Sequence, residues 1–317
     1  MIKLLSAAQN HRPIFVVMAV FTGAILSTLF VRMFSISLAD LRGVFGLDVA
    51  QGSWLNVALN IAQLISMTLV PWFMVVYGAE KILISASFIL FCCGLAVPII
   101  GQQIGFGGLF IAHFMIGFCI GVYLPMTISL ALKSLNPSVW LIVMAAYSLR
   151  VSVGMDAGVG ISGEFVDILN WRWIYWLSAI FTLVILFFTW WGMPLSPINK
   201  SLLAQSDWGG MALKCLGLTL LYIGVVQGEL LGWWDSGLVV SCLIGSAILM
   251  GTFIIRAYIY KQSFGHLNWI KDSNLRLCFI IACLYGFLML PNSLFIPSFL
   301  SVVGGLKPLQ IGQVTNL

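Results

Sequence analysis

The sequence predicts an all-α fold: a polytopic transmembrane helix bundle of about nine complete spans plus the start of a tenth. Three observations predict it. Hydrophobic residues make up 61% of the 317 residues and charged residues only 8%, whereas a soluble globular chain is about one quarter charged. The apolar residues fall into runs of about 20, the length that crosses a ~30 Å hydrocarbon core at 1.5 Å per residue. Lysine and arginine are also segregated between alternate loops, as the positive-inside rule requires of a membrane chain.

The first span, near 13–38, opens at Pro13 behind Lys3 and Arg12. No A-x-A-like cleavage site follows it, so a transmembrane helix is expected rather than a signal peptide. Spans two and three lie near 52–76 and 82–101, the former interrupted by Pro71. Span four, near 105–131, carries Gly117, Gly121 and Pro125, a small-xxx-small pair and a bend point. Spans five and six, near 139–163 and 172–193, are joined by the aromatic and basic cluster Asn170–Trp176, of the kind found at a membrane–water interface. Spans seven and eight, near 209–229 and 236–258, turn at Trp233 and Trp234. Span nine, near 276–301, contains Pro291 and Pro297. A run beginning near Leu309 is too short by Leu317 to cross a bilayer, so the sequence is expected to stop inside an element.

Orientation follows from the basic residues. With the N-terminus inside, the cytoplasmic side receives Lys3, Arg12, Lys81, Lys133, Lys200, Lys214, Arg256, Lys261, Lys271 and Arg276. The opposite side receives Arg42, Arg172 and Lys307, with Asp40, Asp48, Glu164, Asp167, Glu229 and Asp235. The net charge of +5 is scattered over short loops and is no nucleic-acid signal. All 7 cysteines lie in apolar segments, without CxxC spacing or a Cys/His cluster, so no disulfide framework or metal site is expected. No phosphate loop, HExxH or GxSxG motif is present. Neither an enzyme nor a cofactor is expected.

Span five organises the rest. Gly154, Gly158 and Ser162 recur every four residues on one face, where a second helix can approach closely. Arg150 extends that stripe by a turn, and Asp156 lies roughly 160° round from it. Ionisable side chains at membrane depth are costly and usually face a bundle interior or aqueous cavity. Four stand there: Arg32, His113, Arg150 and Asp156. They are the candidate proton and substrate-pathway residues. Counting from span ends puts Arg32 and Asp156 both roughly 25–29 Å up and His113 near about 18 Å, beside Arg150. Two level pairs are therefore expected, Arg32 with Asp156 and His113 with Arg150. Arg256 and Glu229, near span ends, are expected to snorkel to the interface.

The motifs carry a resemblance. His113-Phe-Met-Ile-Gly117 with Gly121 and Pro125 resembles the R-x-x-x-G motif of the major facilitator superfamily. Gly158 to Gly163 is similar to the G-P-x-x-G-G motif of its fourteen-span drug:proton antiporter branch, and Asn170-Trp-Arg-Trp-Ile-Tyr to that branch's W-R-W-I-F. Asp207-Trp-Gly-Gly, Gly232-Trp-Trp-Asp-Ser and Leu306 to Gly312 resemble later segments in order. The departures are His113 for the motif arginine, Val159 for the motif proline, Phe30 where span one often carries an acid, and a loop after span two that keeps only Gly78 and one lysine.

The resemblance implies a secondary active transporter in which two helical halves rock about a central site. It would export drugs or other small amphipathic molecules against protons. Residues 1–193 would form the N-terminal six-helix half, 194–258 a linker loop with two extra spans, and 259–317 an incomplete start of the C-terminal half. Implied partners are the lipid bilayer, a small-molecule substrate, and periplasmic adaptor and outer-membrane channel proteins. The implied location is the cell inner membrane. The alternative is a truncated, non-transporting scaffold, or a subunit that needs a second chain.

Overall fold

The computed structural model describes residues 12–204, 206–259, 272–290, 296, 299–300 and 303–315. Lys3, Lys261, Lys271, Pro291 and Pro297 lie outside the described residues, as does the side chain of Asp156. The long helices are α1 (Pro13–Ile36), α2 (Val49–Tyr77), α3 (Ala79–Ile100), α4 (Gly105–Ser134), α5 (Trp140–Gly163), α6 (Trp173–Gly192), α7 (Trp208–Leu231), α8 (Gly237–Ile259) and α9 (Ser273–Leu290). Seven of them, α1–α4 and α6–α8, are long and apolar enough to cross a membrane. Pro137–Val151, leading into α5, and Ser273–Leu288 of α9 are shorter apolar stretches. No strand occurs among the described residues.

Local chemistry sets the helix ends. Pro13 occupies the first turn of α1, where its missing N–H is no loss. Asp48 and Gln51 form a reciprocal capping box at the start of α2: Gln51 N–H donates to Asp48 at 2.7 Å, and Asp48 N–H donates to the Gln51 side chain at 3.2 Å. A single residue, Gly78 at φ 96°, joins α2 to α3, a conformation that a side chain would strain. Beyond Gly163 the chain continues as one π-helical turn, Glu164–Leu169, before Asn170 extends it into α6.

The described chain forms two compact units, one running to Lys200 and one from Ser201 to Thr315. In the first, α1 packs against α4, α5 and α6, while α2 packs on α4, and α3 on both α4 and α6. Phe30, Phe34, Tyr123 and Tyr175 fill its centre with no exposed surface. Lipid offers little hydrophobic drive between helices, so close packing and interhelical hydrogen bonds must hold them. Thr127 donates to the Val20 carbonyl at 2.8 Å, tying α4 to α1. Ser87 meets the Tyr123 hydroxyl at 2.9 Å, tying α3 to α4.

The segment 194–200, expected as the start of a linker, is bound to this six-helix unit. Glu80, only 3% exposed, accepts from Ser196 N–H at 2.5 Å and from its hydroxyl at 3.2 Å. Lys81 donates to the Ser196 carbonyl at 2.7 Å, and Asn199 N–H to the Val76 carbonyl at 2.8 Å.

The second unit is built on the α7–α8 hairpin, where Ser246 donates to the Gly217 carbonyl at 2.8 Å. Arg256, near the end of α8, is held by an ion pair. It pairs with Asp207 at 2.8 Å, and Asp207 also caps α7 by accepting from Gly210 N–H. A carboxylate already fixed at a helix N-terminus is a better partner for the guanidinium than open water.

Candidate functional site

The small-residue stripe of α5 lies on α1. A Cβ at Gly154 would come within 2.6 Å of Thr28, and one at Gly158 within 3.0 Å of the Arg32 stem. One turn on, the Ser162 and Ser37 hydroxyls are 2.5 Å apart. Position numbers rise together along the seam, so α1 and α5 run parallel. Gly163, buried, ends α5. A second seam joins α2 to α4: a Cβ at Gly117 would meet the Leu59 carbonyl, and one at Gly121 would sit 2.6 Å from the Gln63 carbonyl oxygen. These helices are parallel too. Backbone contact at Gly121 sets how α2 presents Gln63.

At the Thr28 level the seam becomes polar. Arg150 donates through Nη1 to Thr28 Oγ1 at 2.7 Å, and Thr28 donates to the Ala24 carbonyl at 3.1 Å. The Arg150 guanidinium carbon lies 4.3 Å from the Tyr147 ring centroid, a cation–π stack. Its buried Nε has no hydrogen-bond partner among the described residues. On the opposite flank of α1, Gln63 donates to Ser27 at 3.3 Å. Two further amides continue along α2, Asn60 donating to Asn56 Oδ1 at 2.9 Å and to its carbonyl at 2.8 Å. Asn56, Asn60 and Gln63 are half-buried and spaced four and three apart, so they share one face. Thr28 stands roughly 22 Å from the start of α1, and Asn60 about 16 Å from the start of the 29-residue α2. The belt therefore lies well inside the bilayer.

A reading that sought charges at membrane depth passed over the amides. The available signal was their spacing, i, i+4 and i+7, in one span.

His113 is placed differently from the expectation. It is fully buried, with Nδ1 2.7 Å from the Leu109 carbonyl and Nε2 2.9 Å from the Tyr175 hydroxyl. A carbonyl only accepts, so Nδ1 carries the proton and Nε2 accepts from Tyr175. The Phe34 ring closes the site at 4.8 Å. The expected level pair with Arg150 is thus corrected: His113 faces Phe34 and Tyr175, whereas Arg150 faces Thr28, about 9 Å away along α1. The counting failed because α4, at 30 residues, is about 45 Å long. It overshoots a ~30 Å core, so its ends are poor depth markers.

Arg32 is 9% exposed under Gly158. The α1–α5 register puts the Asp156 backbone roughly 3 Å below that level.

A cavity of about 330 Å³ lies elsewhere, where Val16, Met74, Glu80, Lys133 and Pro194 meet. Val16 is about 18 Å from Thr28 along α1. The cavity's buried acid is already taken by Ser196, so the polar belt is the better candidate site. No group of three His, Cys, Asp or Glu among the described residues could hold a metal.

"Fatty acid resistance protein FarB" of Neisseria gonorrhoeae is 21% identical over 76% of this chain and 46% of its own length. "Multidrug export protein EmrB" of Escherichia coli K12 is 21% identical over 79% of this chain and 47% of its own. The chain spans about half the length of the curated relatives it matches. A solved D-xylose-proton symporter resembles it at 12% identity and TM-score 0.48, covering 78% of this chain and 68% of that one. The model of the Major Facilitator Superfamily matches residues 20–315, taking in helices of both compact units, and the chain belongs to that family.

Proposed function

We propose that the chain is the transporting part of a proton-coupled exporter of small amphipathic molecules, working by alternating access in the inner membrane with its N-terminus cytoplasmic. One observation carries this reading, the belt in which Arg150 and Gln63 flank α1 at Thr28 and Ser27. A guanidinium and three amides at bilayer depth are costly against lipid and persist where they face water or protein. In such transporters two helical halves rock about a central site, and the belt is the proposed part of that site in this half. The relatives named for multidrug export and fatty acid resistance support amphipathic cargo.

Asp156 is the proposed proton site, and Arg32 stands near its height on α1. Antiport requires only that proton binding and cargo binding favour opposite-facing states, and linkage makes the coupling reciprocal. His113, sealed between Tyr175 and Phe34, serves better as a tie between α4 and α6 than as a carrier. Periplasmic adaptor and outer-membrane channel partners remain part of the proposal.

The test is pH-gradient-driven efflux in inverted vesicles. Wild type should export, and Asp156→Asn should lose gradient-driven export while retaining substrate binding. Unchanged export in the mutant removes Asp156 from the mechanism. No export by wild type overturns the transporter reading.

A further inference from the structure

We infer that the belt around Thr28 is a head-group site for an anionic amphiphile, a molecule with one carboxylate or similar anion on an apolar body. The inference rests on the transporter reading above and names its cargo class.

Arg150 supplies the charge. A guanidinium carries five N–H donors in a fixed fork, and the hydrogen bond found here uses Nη1 alone, to Thr28. Tyr147 covers one face of that fork, which leaves its edge to meet a planar anion. Gln63, level with Ser27 and Thr28, supplies an uncharged amide on the other flank, where it donates to Ser27 at 3.3 Å.

An apolar face of α1 leads up to this head. Met18, Phe21 and Ile25 precede Thr28 at intervals of three and four, so all four residues share a face of α1. Met18 is 46% exposed, and Phe21 meets Tyr147 at 6.4 Å in a T-shaped contact, placing this face against the ring that stacks on Arg150. A cationic head would meet Arg150 without a counter-charge among the described side chains of the belt. Asp156 stands about 9 Å further along α5 and roughly 120° round it from Arg150.

The test is equilibrium binding of radiolabelled dodecanoate to the purified chain in phosphatidylcholine nanodiscs at about pH 8, where the carboxylate is ionised. Dodecanol and dodecyltrimethylammonium are the competitors. Dodecanoate should bind about tenfold or more tighter than the cation, since like charges in a desolvated site are strongly disfavoured. Arg150→Gln should collapse that preference, and Arg150→Lys should restore part of it.

Gln63→Leu is the second variant, because it removes the amide at the Thr28 level and leaves every charge in place. It should weaken dodecanoate binding several-fold while the preference over the cation persists. Equal or tighter binding of the cation, an undiminished preference in Arg150→Gln, or no binding of any probe would overturn the inference. So would loss of dodecanoate binding on replacing phosphatidylcholine with phosphatidylglycerol, which would assign the belt to a lipid head group. Gradient-driven export is scored separately: export of other cargo without the anion preference sinks this inference and leaves the transporter reading standing.

Discussion

Alanine at Gly117 is the sharpest test of how the six-helix unit is held together. A Cβ there would fall on the Leu59 carbonyl oxygen, with the Leu59 carbonyl carbon at 2.8 Å and Cα at 2.9 Å. All three atoms are backbone, so no rotamer change relieves the clash and α2 must move away from α4. Bringing the carbonyl oxygen out to ordinary contact at about 3.5 Å needs a shift of roughly 1.5 Å, and overpacking of this kind costs about 1–3 kcal/mol. The same shift would loosen Gly121 from Gln63 and so disturb the amide face of α2. Gly158→Ala meets side-chain atoms alone, Arg32 Cγ and Cβ at 3.0 and 3.1 Å and Leu29 at 3.6 Å, a milder overlap than that at Gly117. Gly107→Ala meets nothing within 4 Å and should stabilise by about 0.5–1 kcal/mol through lower chain entropy in the unfolded state. The assay is thermal unfolding followed by far-UV circular dichroism, with folded yield from size exclusion. Gly107→Ala should lie at or above wild type, Gly158→Ala slightly below, and Gly117→Ala lowest. A Gly117→Ala protein as stable as Gly107→Ala would refute the backbone contact.

Two further predictions concern the ends of the bundle. Glu80→Ala leaves Ser196 N–H unpaired and removes a charge-assisted bond worth about 1.5–3 kcal/mol, so segment 194–204 should be cut faster in limited proteolysis; an unchanged cleavage rate would show that Glu80 does not hold it. At the other end, burial raises the Asp40 carboxyl above its ordinary 3.8, Asp167 raises it further, and a backbone hydrogen bond opposes both. A raised carboxylate pKa means the ionised form costs stability above the folded pKa, a cost relieved as pH falls through it. Asp167→Asn should therefore raise the unfolding midpoint at pH 7, and the gain should fade on titration below the folded pKa of Asp40. A gain equal at both ends of that titration would exclude the Asp40–Asp167 repulsion.

The positions of the helices were legible because a membrane span is a one-dimensional signal. Span six was expected near 172–193 and α6 is Trp173–Gly192; span seven was expected near 209–229 and α7 is Trp208–Leu231. What lay beyond reach was which helix each face meets. Glycines four apart announce a close approach, but the partner of Gly154 and Gly158 could not be chosen from spacing, and it is α1 at Thr28 and Arg32. Glu80 read as part of a loop, yet it is buried by Ser196, 116 residues on, a contact without local signature. The amides were missed for a different reason. Uncharged, they leave α2 apolar enough to span, so neither a hydropathy window nor a search for charges registers them. A charge in a span shows itself by its own cost, but an amide shows itself only by its company. Gln63 becomes part of a site once α1 brings Ser27 and Thr28, and through Thr28 Arg150, to its height. Mutating the charge alone would therefore test half of the belt; Gln63→Leu, which leaves every charge in place, tests whether the amide at that height takes part in binding cargo.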